Sequence, residues 1–206
     1  MITIQTISPD SFASNCYLLA KGEDAFVVDP GVSLASIQAA LDAQGAVCRG
    51  ILLTHGHFDH MLSLDELRAA YPDAPVYLHA DDAELLSDGE KNAFALFFGQ
   101  DRVWRPADHL LLGGEMLPFA DEHIKVIHTP GHTQGSVCYL CGDLLITGDT
   151  LFDGGYGRCD LYGGDWASLT RTLRRLTELP VTLRIYPGHG APARLGIALD
   201  MAAYLI

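Results

Sequence analysis

The sequence predicts a layered α/β protein, and three observations lead there. Predicted elements run strands, helix, strand, helix, then more strands, helix, strand, helix, which places helices outside two mostly strand-built halves. Consecutive strands between 110 and 147 argue against strict β-α-β winding. Hydrophobic residues make up 49% of the 206 and charged residues only 19%, enough apolar material for a buried core. No repeat period and no Gly/Ser or Pro-rich linker divides the chain, so one domain is expected over 1–206.

The elements follow from local pattern. Residues 2–7 alternate, as a half-buried strand does. Cys16–Ala20 and Ala25–Asp29 flank Lys21–Asp24 as a hairpin, stopped by Asp29-Pro30-Gly31. Over Ser33–Gln44, apolar residues at 34, 37, 40 and 41 share one helix face, and Gly45 ends it. Gly50–Thr54 is a short apolar strand, Leu62–Tyr71 a helix, Val76–His79 a strand and Ala80–Ser87 a short helix. Residues 88–109 show no clear period. Strands are expected near 110–112, 124–128, 136–141 and 143–147. Asp165–Leu179 is a helix with Leu169, Leu173 and Leu176 on one face, Val181–Tyr186 a last strand and 195–206 a last helix.

Charge narrows the function. Lys and Arg total 13 against 26 Asp and Glu, a net of −13, which disfavours phosphate backbones and anionic membrane surfaces as partners. The mildly basic tail, with Arg171, Arg174, Arg175, Arg184 and Arg194, reads as a solvated helix face. The start carries no basic n-region or long apolar run, no stretch is apolar enough to span a membrane, and five scattered cysteines do not make a disulfide framework. The expectation is a cytoplasmic protein with reduced thiols and a small-molecule substrate. Nothing in the sequence sets its oligomeric state.

The chemistry is concentrated after the strand at 50–54, in Thr54-His55-Gly56-His57-Phe58-Asp59-His60. Imidazole and carboxylate are natural ligands for zinc and similar divalent ions. His55 and His57 point the same way in an extended segment, while Asp59 and His60 lie past a bend, which suggests two adjacent metals. Thr129-Pro130-Gly131-His132, Thr147-Gly148-Asp149 and Tyr186-Pro187-Gly188-His189 each place one further ligand just after an apolar strand, beside Gly or Pro. A rigid scaffold presents side chains at a rim in this way.

The ordered set His-x-His-x-Asp-His, Gly-His, Gly-Asp, Gly-His resembles the metallo-β-lactamase fold hydrolases over nearly the whole chain, and the Asp29-Pro30-Gly31 turn also fits. Gly157-Arg158-Cys159-Asp160-Leu161 and Gly163-Gly164-Asp165 look like the short glyoxalase II-like branch, where Gly-Arg-Thr-Asp is usual. The resemblance implies a four-layer αβ/βα sandwich with a dinuclear site at its rim. It assigns His55, His57 and His132 to one metal, Asp59, His60 and His189 to the other, and Asp149 to a bridge between them. Two divalent ions are implied, zinc first, with iron or manganese also accepted by such ligands. A hydroxide shared by the metals would attack a carbonyl, oriented by Asp59. A thioester suits this chemistry because thiolate leaves easily, so hydrolysis of an S-acylglutathione such as S-lactoylglutathione is expected. Two departures bear on that expectation. Longer relatives carry a C-terminal helical domain for glutathione, whereas this chain extends only 17 residues past His189. Cys159 replaces the usual Thr and reads as a small buried residue.

Alternatives remain at this stage. A mononuclear-iron persulfide dioxygenase would use His55, His132 and Asp149 alone, and a lactonase or other ester hydrolase would use the same metals. A β-lactamase would need an export signal. His79, His109, His123 and His128 read as structural, and Cys138 and Cys141, three apart on a strand, face opposite sides. Asp29 is either a plain turn residue or a partner holding a ligand histidine. Arg158 with Asp160 braces the loop or touches substrate, and Tyr156 is a weaker substrate candidate. Phe94, Phe97, Phe98 and Trp104 form either a lid or a satellite core.

Overall fold

In the computed structural model, which describes residues 2–9 and 12–203, two six-stranded sheets face each other with helices on both outer surfaces. The first half comprises β1 (Thr3–Ile7), β2 (Cys16–Lys21), β3 (Asp24–Val28), α1 (Leu34–Gln44), β4 (Val47–Leu52), α2 (Leu64–Ala70), β5 (Val76–His79), α3 (Phe94–Phe98) and β6 (His109–Leu111). Its strands lie in chain order, antiparallel through β3 and parallel from β3 to β6. The second half comprises β7 (Met116–Phe119), β8 (Glu122–His128), β9 (Val137–Cys141), β10 (Leu144–Gly148), α4 (Trp166–Leu176), β11 (Arg184–Pro187), β12 (Ala193–Arg194) and α5 (Leu195–Ala203). Its order is β12-β11-β10-β9-β8-β7, with β10 and β11 parallel.

Strand alternation divides the core into three layers. Cys16, Leu18 and Ala20 of β2 pack outward with Ile37 and Leu41 of α1 and Leu64 and Leu67 of α2. Tyr17 and Leu19 point inward and meet Val126, Tyr139 and Ile146 of the second sheet. Behind that sheet, Cys138 and Leu145 pack on Leu169, Leu173 and Leu176 of α4 and Leu195 and Ala198 of α5. Cys138 and Cys141 therefore fall in different layers, as their spacing on a strand requires. This is the four-layer αβ/βα sandwich.

Local signals explain the helices that pack on the sheets. The Ser33 hydroxyl caps α1 by accepting from Ser36 N–H, and Gly45 closes it at φ 61°. The Asp165 carboxylate caps α4 through Ser168 N–H, while Arg174 and Arg175 occupy its last turn, where the helix dipole favours cations. Among the described residues, no helix is long and apolar enough to cross a membrane.

Several expectations need correction. Ala80–Ser87 is a 3-10 segment, its first turn held by His79 Nδ1 accepting from Asp81 N–H. The last central strand begins at Arg184 rather than Val181, because Leu183 N–H turns back to Pro180 O. β7 went unrecognised, since Pro118 interrupts its pattern, and it survives because β7 is an edge strand. Residues 204–206 of the expected final helix lie outside the described residues.

Candidate metal centre

β8, β10 and β11 point the same way, because β9 is antiparallel to both its neighbours and β11 is parallel to β10. Their C-terminal ends deliver His132, Asp149 and His189, and the C-terminal end of β4 delivers His55 to His60. All seven predicted ligands meet at one rim. His55, His57 and His132 each offer a ring nitrogen within 4.8 Å of the others, and so do the ligand atoms of Asp59, His60 and His189. Asp149 lies between the two groups, Oδ2 being 3.7 Å from His132 Nε2 and 3.6 Å from His189 Nε2, and Oδ1 3.3 Å from His60 Nε2.

His55, His60 and His132 are each aimed by their other nitrogen. His132 Nδ1 lies 2.7 Å from Arg158 O and can only donate there, which leaves Nε2 a bare lone pair. The Thr54 hydroxyl donates to Asp29 Oδ2, so it accepts from His55 Nδ1 at 3.2 Å. The two bare nitrogens, His55 Nε2 and His132 Nε2, then face each other at 3.2 Å, and His57 Nδ1 stands 2.8 Å from the same His132 atom. Tetrahedral zinc with Zn–N near 2.05 Å would separate its nitrogens by about 3.3 Å. Buried lone pairs packed so closely repel unless a cation or proton lies among them. His60 Nε2 and Asp149 Oδ1 have no hydrogen-bond partner although both are buried. Ordinary cores satisfy such atoms, so these donors fit divalent ions.

Asp29 is more than a turn residue. It is fully buried at φ 51°, and its carboxylate accepts from Thr54 N–H at 2.8 Å, from the Thr54 hydroxyl at 2.7 Å and from His60 Nδ1 at 2.9 Å. One side chain thus orients His60 and ties down the start of the histidine motif. Asp82, which no motif or spacing marks, plays the corresponding part between ligand loops. Its buried carboxylate accepts from Gly56 N–H, Gly135 N–H and the Thr133 hydroxyl, linking the first motif to the His132 loop. Glycine is required at two contacts. A Cβ at Gly188 would run into the Asp149 carboxylate and the His60 ring, and one at Gly157 would run into the Asp149 carbonyl.

The electrostatics agree with a site that takes positive charge. Burial lowers His55 far below the usual imidazole range and takes His57 to about 3, so both are neutral ligands at physiological pH. Burial would also lower His60, but Asp29, Asp149 and Asp59 outweigh it and raise the group well above that range. Burial would raise Asp149, yet His60, His132 and His189 hold it below the usual carboxylate range. Without metal, a proton on His60 compensates the carboxylates that two cations would otherwise balance.

The ligands form the floor of a cleft of about 620 Å³ whose walls are largely apolar, including Phe12, Phe58, Phe97, Phe98, Phe152 and Leu161. Arg158 lines it and braces its own loop through a two-pronged pair with Asp160 at 2.6 and 2.7 Å. Tyr156 does not line it. Its ring packs on Trp166 at 5.1 Å beside the layer behind the second sheet. Cys159 is half-buried in that layer, its thiol pushed up to about 11 by burial. A further trio, His79, Asp81 and His128, is also close. However, the two rings stack at 4.0 Å and 13°, which sets their lone pairs side by side rather than converging.

The sequence profile of the metallo-beta-lactamase superfamily matches residues 9–189. A probable metallo-hydrolase of Bacillus subtilis, YqgX, is 38% identical over 180 residues, covering 86% of this chain and 85% of that protein. A hydroxyacylglutathione hydrolase of Xylella fastidiosa is 33% identical over 84% of this chain, which spans 57% of that longer protein. Among solved structures, BLEG-1, a B3 metallo-beta-lactamase, superposes with a TM-score of 0.92 at 32% identity, over 98% of this chain and 99% of that one. TTHA1623 in a di-iron-bound form superposes at 0.84 with 33% identity, over 98% and 99%.

Proposed function

The chain belongs to the metallo-β-lactamase superfamily, and from that premise we propose a dinuclear metal-dependent hydrolase of thioesters, acting on a small molecule in the cytoplasm. One observation carries the reading: seven donors converge at the floor of an open cleft, with buried lone pairs left unpartnered. His55, His57 and His132 would hold one ion and Asp59, His60 and His189 the other, with Asp149 between them. Zinc is the first candidate, and the di-iron form of TTHA1623 makes iron the second.

Bound cations would polarise a substrate carbonyl and acidify a water until it attacks at neutral pH. The residues do the rest. His60 and the neighbouring charges keep Asp59 ionised despite its burial, and its Oδ2 stands 3.1 Å from His189 Nε2. Asp59 can therefore orient the attacking water by accepting its hydrogen bond. The water gives up one proton to solvent as its oxygen adds to the acyl carbon. The C–S bond breaks, and the thiolate leaves with the bond's electron pair and takes up a proton from solvent. The carboxylic acid formed releases its proton to solvent. Phe58, set between two ligands, excludes bulk water from one side.

The likeness to BLEG-1 favours a second reading, β-lactam hydrolysis by the same site. A mononuclear-iron dioxygenase is less well supported, because the second donor group is complete as well as the first. Elemental analysis of protein purified without added metal separates these readings. About two ions per chain, with turnover of S-lactoylglutathione or a simple alkyl thioester, supports the proposal. A single iron per chain overturns the dinuclear site. Two ions with cleavage of a cephalosporin but of no thioester selects the second reading.

A further inference from the structure

Resting on the hydrolase reading, we infer that the substrate is an apolar thioester whose alkyl or aryl group lies along an aromatic wall, and that no anionic carrier is recognised. The wall begins inside the ligand motif. The Phe58 ring lies 5.5 Å from those of Phe94 and Phe97, 5.6 Å from Phe98 and 6.3 Å from Phe12, and Phe12 and Phe98 are 5.6 Å apart. Aromatic surface therefore runs unbroken from the metal ligands to the mouth of the cleft. On the facing side, Phe152 lies 6.2 Å from the His189 ring.

Two features separate this wall from a satellite core. Phe58 is buried and Phe94 turns inward onto Trp104, whereas Phe12, Phe97 and Phe98 remain 61%, 55% and 42% exposed. Apolar surface concentrated in a concave site beside convergent polar groups is characteristic of ligand pockets. The wall is also fixed in place. Asn92, fully buried, donates to Leu85 O and Arg102 O and accepts from Phe94 N–H, and left-handed Ala93 and Gly99 bracket α3. The rings are held out toward the cleft and do not collapse onto the core.

Charge points the same way. Arg158 is the only Lys or Arg lining the cleft among the described residues, and Asp160 already pairs with both prongs of it. A carrier thiol with free carboxylates would meet no unpaired cation there, on a chain of net charge −13.

The test uses metal-loaded protein and two thioester series on uncharged thiols, one lengthening the acyl group from acetyl to hexanoyl and one lengthening the thiol. In one series, kcat/KM should rise about three- to fourfold per methylene over the first few. The double variant Phe97→Ala, Phe98→Ala should flatten that rise. With the acyl group held constant, glutathione should give no advantage over N-acetylcysteamine. Flat series in the unaltered protein overturn the inference, and so does a glutathione advantage of tenfold or more. If no thioester is cleaved, the hydrolase reading fails separately. Calorimetry of hexanoate against acetate still decides the wall, since tighter binding of hexanoate supports it and equal binding overturns it.

Discussion

The ligand cradle and the aromatic wall share one cleft, yet they are held in opposite ways. Every cradle histidine is buried or packed against a carboxylate, and His55, His60 and His132 are aimed by hydrogen bonds from their far sides. The wall presents exposed rings and is anchored from behind, through the single side chain of Asn92. The cradle grows from the ends of central strands, while the wall takes Phe94, Phe97 and Phe98 from a short helix between β5 and β6, Phe12 from the chain ahead of β2 and Phe58 from the ligand motif. The difference separates two jobs. Reaction chemistry sits on elements that cannot move without breaking the sheets, and substrate choice sits on an element that can change without disturbing them.

The sharpest way to break this division is to empty the cradle. His57→Ala should leave about one metal per chain by elemental analysis and lower kcat/KM by about a thousandfold, a loss of several kcal/mol of transition-state stabilisation. Full activity with one ion would mean that the His55, His57 and His132 group is idle. Asp29→Asn keeps a residue tolerant of φ 51° but weakens the hold on His60. Metal affinity, read by chelator competition, should fall about 10- to 100-fold. An unchanged affinity would return Asp29 to a turn residue.

Asp82→Ala tests whether the two ligand loops depend on one tether. It orphans two backbone N–H groups and leaves the Thr133 hydroxyl with Ser136 alone. A destabilisation of about 3 kcal/mol in urea is expected. The mildest probe is pH. In metal-free protein, His57 is held at about 3 against an ordinary 6.5, so the unfolded chain binds more protons between those values. Stability present above pH 6.5 should be lost as pH falls toward 3. His57→Gln should flatten that slope in urea titrations across the same range, and an unaltered slope would assign it to other groups.

The cradle was legible in the sequence, whereas the wall was legible only as Phe94, Phe97, Phe98 and Trp104 left between a lid and a satellite core, for physical reasons. Each of the seven ligands follows a short apolar strand and neighbours a glycine, a proline or another ligand, so order and context reveal it. Phe-Ala-Leu-Phe-Phe of α3 is apolar throughout, and with no polar face it shows no helical period. Asp82 was invisible because its partners lie far away in the chain, at Thr133 and Gly135. The sheets were read from alternation. Pro118 hid β7, and β12, of two residues, is too short to carry any period.

The split of the donors between the halves constrains how the protein is made. Residues 55–60 supply four ligands, but each donor group also needs a side chain from the second half, His132 for one and His189 for the other. A chain leaving the ribosome therefore carries the histidine motif for some 130 residues of synthesis before the last donor appears. Until then the motif is an open chelator, able to take a metal in the wrong geometry. Once His189 docks, ions bound across the interface would staple the two halves together and resist proteases that work at partly opened chains.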